Sequence, residues 1–335
     1  MKRRRKALAL PCALVLLLWI ASARAQSPEE TFGCEANPTG NPIGGGRGYT
    51  PIFTDGDFVV RTKQDLLDAL RSAGTGQVIF VPHGTEIDLT GERNIEIPGG
   101  VTIAGTRGLD GSPGARIFTT WRRTHTLFRT SGYDVRLTGL RFQGAYGGTE
   151  TVADQSSFLA VRHSGAEIHN CEIYDFPVSG VGVSSTAIHV RIHHNSIHNI
   201  SRSGLGYGVT TSSSDVRIIA NTFDNCRHHI ASTGAPGAGY EAAWNLVGIN
   251  AISHHFDMHG GSDRGDGTNI AGDWMHIHHN TFQGRQRHVV IRGIPSQGAD
   301  IHHNWFTGPG RRKVRSRGNT RVYRNVYGPD RILEE

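Results

Sequence analysis

Short runs of alternating apolar and polar residues recur along the chain, and most of them hold an asparagine between apolar positions. Seven asparagines form one column at spacings of 25, 26, 24, 35, 24 and 21 residues: Asn170, Asn195, Asn221, Asn245, Asn280, Asn304 and Asn325. A repeat of this length is too short for a pair of helices, but it fits one coil built from three short strands. The pattern predicts an all-β chain folded as a right-handed parallel β-helix.

The asparagine column is expected at the corners between strands. Asparagine tolerates left-handed backbone and bonds to its own turn, and its amides can bond from coil to coil as a ladder. Histidine pairs precede several of these asparagines and are predicted to make structural bonds at the turns: His193, His194, His278, His279, His302 and His303. We therefore expect a ladder of side-chain amides along one edge of the solenoid.

One segment, residues 62–76, has the pattern of a helix. Thr62 can cap its N-terminus, with Asp65 three residues later. Its apolar stripe consists of Leu66, Leu67 and Leu70. Because an open solenoid end exposes unpaired strand edges, this short amphipathic helix is predicted to cover the first coil.

The cap, the segment "IPGGVTIAGTRG" and the asparagine-bearing coils together resemble the pectate-lyase-like superfamily of β-helices, over roughly residues 58 to 327. The resemblance implies the fold. It leaves the reaction open, because that superfamily includes lyases, hydrolases, epimerases and inert adhesins. The pectate-lyase "WIDH" strand is missing, and its nearest counterpart, "IHHNWF", has Asn304 where an acid would be expected. The family's calcium ligands therefore do not carry over.

The first 25 residues differ from the rest in composition. A basic start, an apolar run and the small-residue signal "ARA" predict a cleaved signal peptide, so we expect a secreted or periplasmic protein. The apolar run is short for a membrane span, and no later segment reaches spanning length. The predicted organisation is a signal peptide at 1–25, an extension at 26–57 and a β-helix domain at 58–335.

Removal of the signal peptide changes the charge balance. Six of the 35 Lys and Arg residues lie there and none of the acids, which leaves 35 − 6 = 29 basic against 29 acidic residues. A neutral exported protein is poorly suited to nucleic acid. The charge is uneven, however, since residues 285–331 carry eleven Lys and Arg against Asp300 and Asp330. This local basic field suits an anionic partner such as an acidic glycan.

Three cysteines remain after the signal peptide: Cys34, Cys171 and Cys226. This number is too small for a disulfide-stapled scaffold, although an exported protein permits one bridge. The pairing stays open at this point.

A second set of runs lies between the asparagine corners, and "HHFDMHGG" (254–261) is the most unusual of them. We take Ile230, Phe256, Ile291 and Val314 as the inward positions of successive strands. Alternation along a strand then places one group of polar residues outward: His229, His255, Asp257, His259, Arg292, Lys313 and Arg315. Arg227 and His288 lie three positions before the inward residues, and loops at 260–273 and 235–242 are expected to border the same face.

This face suggests cleavage of an acidic polysaccharide by β-elimination. That reaction needs a base, an acid for the leaving oxygen and a group that neutralises the enolate charge. His255 is predicted as the base, oriented by Asp257 or Arg292, with His229 or His259 as the acid. The groups expected to neutralise or bind the substrate are Arg292, Lys313, Arg315, Arg227, His288 and Tyr240.

The favoured reaction needs no cofactor, but a metal remains an alternative. His229, His255, Asp257 and His259 together could hold a divalent ion such as zinc or manganese, and Asp263 with Asp266 could hold calcium. A glycoside hydrolase, a uronate epimerase and a non-catalytic carbohydrate-binding module are the other functions that the pattern allows. We expect a monomer that binds an acidic polysaccharide or oligosaccharide.

Overall fold

Three stacks of short parallel strands carry the chain from residue 58 onward. The structure, a computed structural model, describes residues 30–148, 155–284, 286–308 and 313–334. The predicted signal peptide lies outside the described residues. Within them, the sheets contain 11, 11 and 9 strands, which we name sheets A, B and C in the order that the chain visits them. The described residues from Thr31 onward form one compact unit.

The strands of each sheet follow one another along the solenoid. Sheet A consists of Phe58–Val59, Val78–Phe80, Thr102–Ala104, Arg136–Thr138, Glu167–His169, Val190–His193, Val216–Ile219, Gly239–Ala243, Trp274–His278, Gly298–His302 and Thr320–Tyr323. Sheet B consists of Glu86–Asp88, Arg116–Phe118, Arg141–Gln143, Glu172–Tyr174, Ser196–Ile200, Thr222–Cys226, Leu246–Val247, Thr281–Phe282, Trp305–Phe306, Asn325–Tyr327 and the antiparallel Ile332–Glu334. Sheet C consists of Ile95–Ile97, His125–Thr130, Ser156–Val161, Ser179–Val183, Tyr207–Thr211, His228–Ser232, Phe256–Met258, Val289–Ile291 and Val314–Arg315.

One coil takes one strand from each sheet. The chain passes from Val216–Ile219 in sheet A to Thr222–Cys226 in sheet B, then to His228–Ser232 in sheet C, and returns to sheet A at Gly239–Ala243. Each strand pairs in parallel with its counterpart one coil away. This arrangement confirms the predicted parallel β-helix.

The core is a set of columns in which similar side chains stack from coil to coil. Phe282, Phe306 and Tyr327 stack with ring centroids 5.1 and 5.2 Å apart, close to the strand spacing of about 4.8 Å. The phenylalanines are fully buried. In-register pairing therefore brings each aromatic ring onto the ring of the next coil.

The asparagine ladder forms at the corner between sheets A and B. The ladder runs from Asn195 to Asn325. From Asn221 onward, each side-chain oxygen accepts the backbone N–H and the side-chain amide of the asparagine one coil earlier. All of these asparagines are buried. The ladder therefore satisfies polar groups that the corner would otherwise leave without partners inside the protein.

Two details of the corner differ from the prediction. Asn170 stands outside the ladder, because Cys171 occupies the ladder position and donates its N–H to Asn195. The left-handed backbone belongs to the residue before each ladder asparagine, as at His279 and His303. The histidine pairs do bond at the turn, for example His278 with Glu241 at 3.1 Å.

The predicted capping helix is present as α1, Lys63–Ser72. Thr62 and Asp65 form a reciprocal capping box. Leu66 and Leu70 are buried in the same core cluster as the first coils, whereas Leu67 is only partly buried. A second helix, α2, spans Gly261–Arg264, and two 3₁₀ turns span Cys34–Ala36 and Leu109–Gly111.

Residues 31–56, which we call the N-terminal strap, lie along the asparagine corner. Phe32 stacks on His303 with ring centroids 5.4 Å apart. At the other end, the Tyr49 hydroxyl lies 2.8 Å from Nδ1 of His169. The strap therefore contacts both late and early coils.

Glycines in the strap permit its close approach to the coils. A Cβ on Gly45 would lie 2.3 Å from the carbonyl oxygen of His194, and Gly45 also has a positive φ of 67°. Glycine at position 45 is thus explained by its contact with the backbone of the coils and by its positive φ.

The three cysteines at 34, 171 and 226 are buried and free, so the bridge that the sequence permitted does not form among them. In the part of the chain that the structure describes, no helix is both long and apolar enough to cross a bilayer.

We expect the variant Asn245→Ala to lower the free energy of unfolding by about 3 kcal/mol, because buried partners lose their hydrogen bonds. Those partners are the Ile218 carbonyl, the Asn221 N–H and the Asn280 side chain. Urea unfolding measures the change. Asn250→Ala, at an exposed asparagine, should cost less than about 1 kcal/mol. Equal losses for both variants would show that the ladder contributes nothing particular.

Candidate functional site

The outer face of sheet C carries a column that changes from small to charged residues. In register order it reads Ala160, Gly182, Thr210, Ala231, Asp257, Val290 and Arg315. Ala160, Gly182 and Thr210 are partly exposed, whereas Ala231, the direct partner of Asp257, is buried. The charged groups of the face therefore belong to the later coils.

Asp257 is the centre of the charged part. Its carboxylate has no exposed surface and accepts two hydrogen bonds from Arg292, one from Nε at 2.8 Å and one from Nη2 at 2.5 Å. This fork geometry is the strongest way to pair a guanidinium with a carboxylate. Burial would raise the pKa of Asp257, but hydrogen bonds from His259 and Arg292 hold the pKa at about 2. Asp257 is therefore ionised at neutral pH.

Two histidines approach the same carboxylate oxygen. Nε2 of His259 lies 3.2 Å from Oδ2 of Asp257, and Nε2 of His228 lies 3.4 Å from it. His228 is fully buried, and its Nδ1 bonds to the His254 carbonyl oxygen. The His259 side chain keeps 29% of its surface exposed. His259 is thus the imidazole that solvent and a ligand can reach.

The expected loop at 260–273 does border this face. It contains α2, whose residue Asp263 bonds to Nη1 of Arg292 at 3.0 Å. Arg264 fixes the loop by donating to the carbonyl oxygens of Thr233, Gly234 and Ile270. The expected loop at 235–242 is shorter, because Gly239–Ala243 is a strand of sheet A.

A cavity of about 290 Å³ opens next to Arg292. Its lining consists of His254, Ser262, Asp263, Val290, Arg292, Arg315 and Arg317. Three arginines face one carboxylate here, so the cavity has an excess of positive charge. Arg315 and Arg317 are exposed, and neither has an acidic partner among the described residues. An anionic group fits this cavity.

His229, His255 and His288 do not lie on this face, contrary to the prediction. All three are 0% exposed. Their rings pack against core phenylalanines: His229 lies 5.9 Å from Phe223, and His288 lies 5.2 Å from Phe282. His255 stands between the other two histidines at 4.9 and 4.7 Å. The predicted base and one predicted acid are therefore interior residues.

A bulge in the backbone explains why alternation fails at this position. The N–H groups of His229 and Ile230 both donate to the His255 carbonyl oxygen, at 2.8 and 3.2 Å. Two coils later, His288 and Val289 share the Lys313 carbonyl oxygen in the same way. When two residues of one strand pair with a single residue of the neighbouring strand, side chains no longer alternate between the inner and the outer face. His229 and Ile230 therefore both face the core.

Lys313 and Tyr240 do not lie on the predicted substrate-binding surface either. Lys313 is 2% exposed and follows the interior histidines in register. Tyr240 is 1% exposed and belongs to the core under sheet A. Arg227 stays near the face, where its guanidinium lies 5.7 Å from the ring of Tyr207.

The residues of the alternative metal site lie on opposite sides of sheet C. His229 and His255 lie inside the solenoid, whereas Asp257 and His259 lie outside it. In the described ranges, no group of three or more His, Cys, Asp or Glu residues is arranged to hold a metal. The alternative calcium pair is engaged too, since Asp263 bonds to Arg292 and Asp266 bonds to Arg264 and Thr268.

Two further residues of the site were not among the predicted ones. His254 lines the cavity, and the buried His228 contacts Asp257. Burial and the nearby arginines lower the pKa of His254, although Asp257 opposes them. The glycines at 180 and 208, which precede His229 in its column, were the available signal that this column is crowded and interior.

No protein-family profile matches the sequence, and no curated protein matches it. Among solved structures, the chain is similar to an alginate lyase from Paenibacillus sp. str. FPU-7, with 16% sequence identity and a TM-score of 0.48. The similarity covers 81% of this chain and 97% of that chain. The chemistry of the site rests on the side chains of this chain.

The interior histidines should make the fold sensitive to acid. Burial lowers the pKa of His229 to about 3 and of His288 to about 2, and it lowers the pKa of His255 well below 6.5. The unfolded chain takes up these protons first, so stability is complete above pH 6.5 and is lost as the pH falls towards 3. Each neutral histidine contributes a slope of about 1.4 kcal/mol per pH unit.

We expect His255→Leu to flatten the decline of the unfolding free energy between pH 6.5 and 4, because one buried titrating group is gone. Urea unfolding at each pH measures this slope. His83→Leu removes an exposed histidine and should leave the slope as it is. An unchanged slope for His255→Leu would contradict the interior position of this ring.

Proposed function

We propose that this chain is an exported polysaccharide lyase that cleaves a uronic-acid-containing polysaccharide by β-elimination. One observation carries the proposal: a buried, ionised carboxylate, Asp257, holds the accessible imidazole of His259 and the guanidinium of Arg292, and Arg292 lines a cavity with an excess of positive charge. A base and cationic groups on one face are what this reaction needs.

His259 is the proposed base, in place of His255. Its Nε2 faces the carboxylate of Asp257, so a proton on Nε2 leaves Nδ1 with a free lone pair. Asp257 then fixes the tautomer and the direction of the ring, as a carboxylate does for histidine in other hydrolytic and transfer sites. Asp257 also balances the charge of the ring once it becomes an imidazolium.

The elimination step balances as follows. The imidazole of His259 takes the proton alpha to the uronate carboxylate, the electron pair forms the ring double bond, and the bond to the glycosidic oxygen breaks. The imidazolium can return its proton to that oxygen when both bonds lie on one side of the sugar ring. One histidine can therefore serve both proton transfers.

Arg315 and Arg317 are the proposed partners of the substrate carboxylate. They lack acidic partners in the described ranges and line the cavity beside Arg292. Arg292 has a different role, because Asp257 and Asp263 already use three of its N–H donors. We assign Arg292 to positioning Asp257 and to raising the positive potential of the cavity.

Hydrolysis is the weaker alternative. A glycosidase normally places two carboxyl groups on either side of the scissile bond. Here Asp257 is buried and occupied by Arg292, and Asp263 bonds to the same arginine. Neither carboxyl group is free to act as an acid or a nucleophile. Epimerisation shares the first proton transfer with the lyase and differs in its product.

We expect His259→Ala to reduce β-elimination by about 10²–10⁴-fold, the usual range for loss of a general base. The assay follows the ultraviolet absorbance of the unsaturated product on a panel of uronate polysaccharides. Asp257→Asn should also reduce turnover, because the amide cannot balance an imidazolium. His83→Ala is the matched control and should retain full activity. Full activity in His259→Ala would overturn the proposed base, and a product without absorbance would point to hydrolysis or epimerisation.

The proposed reaction needs no metal ion, since arginines supply the positive charge. Dialysis against a chelator should therefore leave the rate unchanged. A loss of activity that zinc, manganese or calcium restores would replace the arginine mechanism by a metal-assisted one. We further propose that the protein acts outside the cytoplasm, in line with the predicted signal peptide, and that it acts as a monomer.

A further inference from the structure

A second cavity lies on the outer face of sheet A, away from Asp257. Its volume is about 630 Å³, larger than the 290 Å³ beside Arg292. The residues that matter for its chemistry are Trp274, Asp215, Arg217, Glu241, Asp300 and Arg321. None of these residues takes part in the proposed elimination.

One face of the Trp274 indole packs against the preceding coil. A Cβ on Gly239, one coil earlier, would lie 2.3–2.6 Å from three atoms of this ring. Nε1 of Trp274 donates to the carbonyl oxygen of Ser214 at 3.1 Å, two coils back. The ring is thus held against the backbone at one face and tied at its polar edge.

Glycines in register create the space for this ring. Gly239 and Gly298 are the direct partners of Trp274 in the two neighbouring coils. Any larger side chain at Gly239 would lift the indole from the sheet. One face of Trp274 therefore packs on the backbone, and its half-buried side chain lines the cavity with the remaining surface.

The charged groups of the cavity neutralise one another. Arg321 forms a fork with Asp300 at 2.6 and 2.7 Å, and Nε of Arg217 lies 3.6 Å from Glu241. With Asp215, the lining has three acids and two arginines, so it has no excess of positive charge. This balance is opposite to that of the cavity beside Arg292.

We propose that this cavity is a second glycan-binding site, which takes a neutral pyranose residue stacked on Trp274. A fixed aromatic surface matches the C–H face of a sugar ring, and the surrounding carboxylates and guanidinium groups match its hydroxyls. The site rests on the geometry around Trp274 and does not depend on the proposed lyase reaction. Together, the two cavities would suit a polysaccharide that contains both acidic and neutral sugars.

The test is direct binding of cellohexaose, mannohexaose and xylohexaose to the full chain, measured by calorimetry. At least one of these neutral probes should bind with a Kd below about 10 mM, and Trp274→Ala should raise that Kd at least about tenfold. Trp274→Phe, which keeps an aromatic face, should retain most of it. Trp121→Ala, at a turn between sheets B and C, is the matched control and should bind as the parent does.

Three results would overturn the proposal. They are no binding of any neutral probe, binding that Trp274→Ala leaves unchanged while the variant unfolds at the parent's urea midpoint, and tighter binding of tetragalacturonate than of every neutral probe at this site. Binding to His259→Ala should equal that of the parent, which separates this site from the lyase proposal.

Discussion

In-register stacking of one coil on the next is the constraint on which the rest of the molecule depends. Strands about 4.8 Å apart place each side chain directly against its counterparts in the neighbouring coils. Each side chain in a column must therefore make a favourable contact with the next. Phe282 and Phe306 belong to one column, in which the contact between coils is apolar. In the column from Asn195 to Asn325, the contact is a hydrogen bond. The outer faces use the same rule, because it brings side chains of successive coils together as ligand-facing groups.

The coil period and the capping helix were predictable from sequence because each depends on local chemistry. Asparagine spacing gave the repeat, and Thr62 with Asp65 gave the start of α1. The orientation of His229 and His255 was not predictable in the same way. The direction of His229 depends on two N–H groups sharing the carbonyl oxygen of His255, and no residue type at these positions requires such a bulge.

Histidine meets two environments within the short segment from His254 to His259. His255 loses contact with water and is kept neutral by burial, whereas His259 meets a carboxylate and remains partly exposed. Asp257 could be assigned to the outer face from alternation, because it directly follows the inward-facing Phe256. The ion pair between Arg292 and Asp257 could not be predicted from alternation, because the register partner of Asp257 is Val290.

The N-terminal strap has a consequence for how the chain reaches its final form. A solenoid can grow coil upon coil as it emerges, since each coil contacts mainly its neighbours. Here Phe32 stacks on His303 and Gly33 donates its N–H to the carbonyl oxygen of the same residue. The N-terminal strap can therefore dock only after the coil that contains His303 has been synthesised and has folded. Such a long-range closure makes assembly slower and couples the stability of early coils to that of late ones.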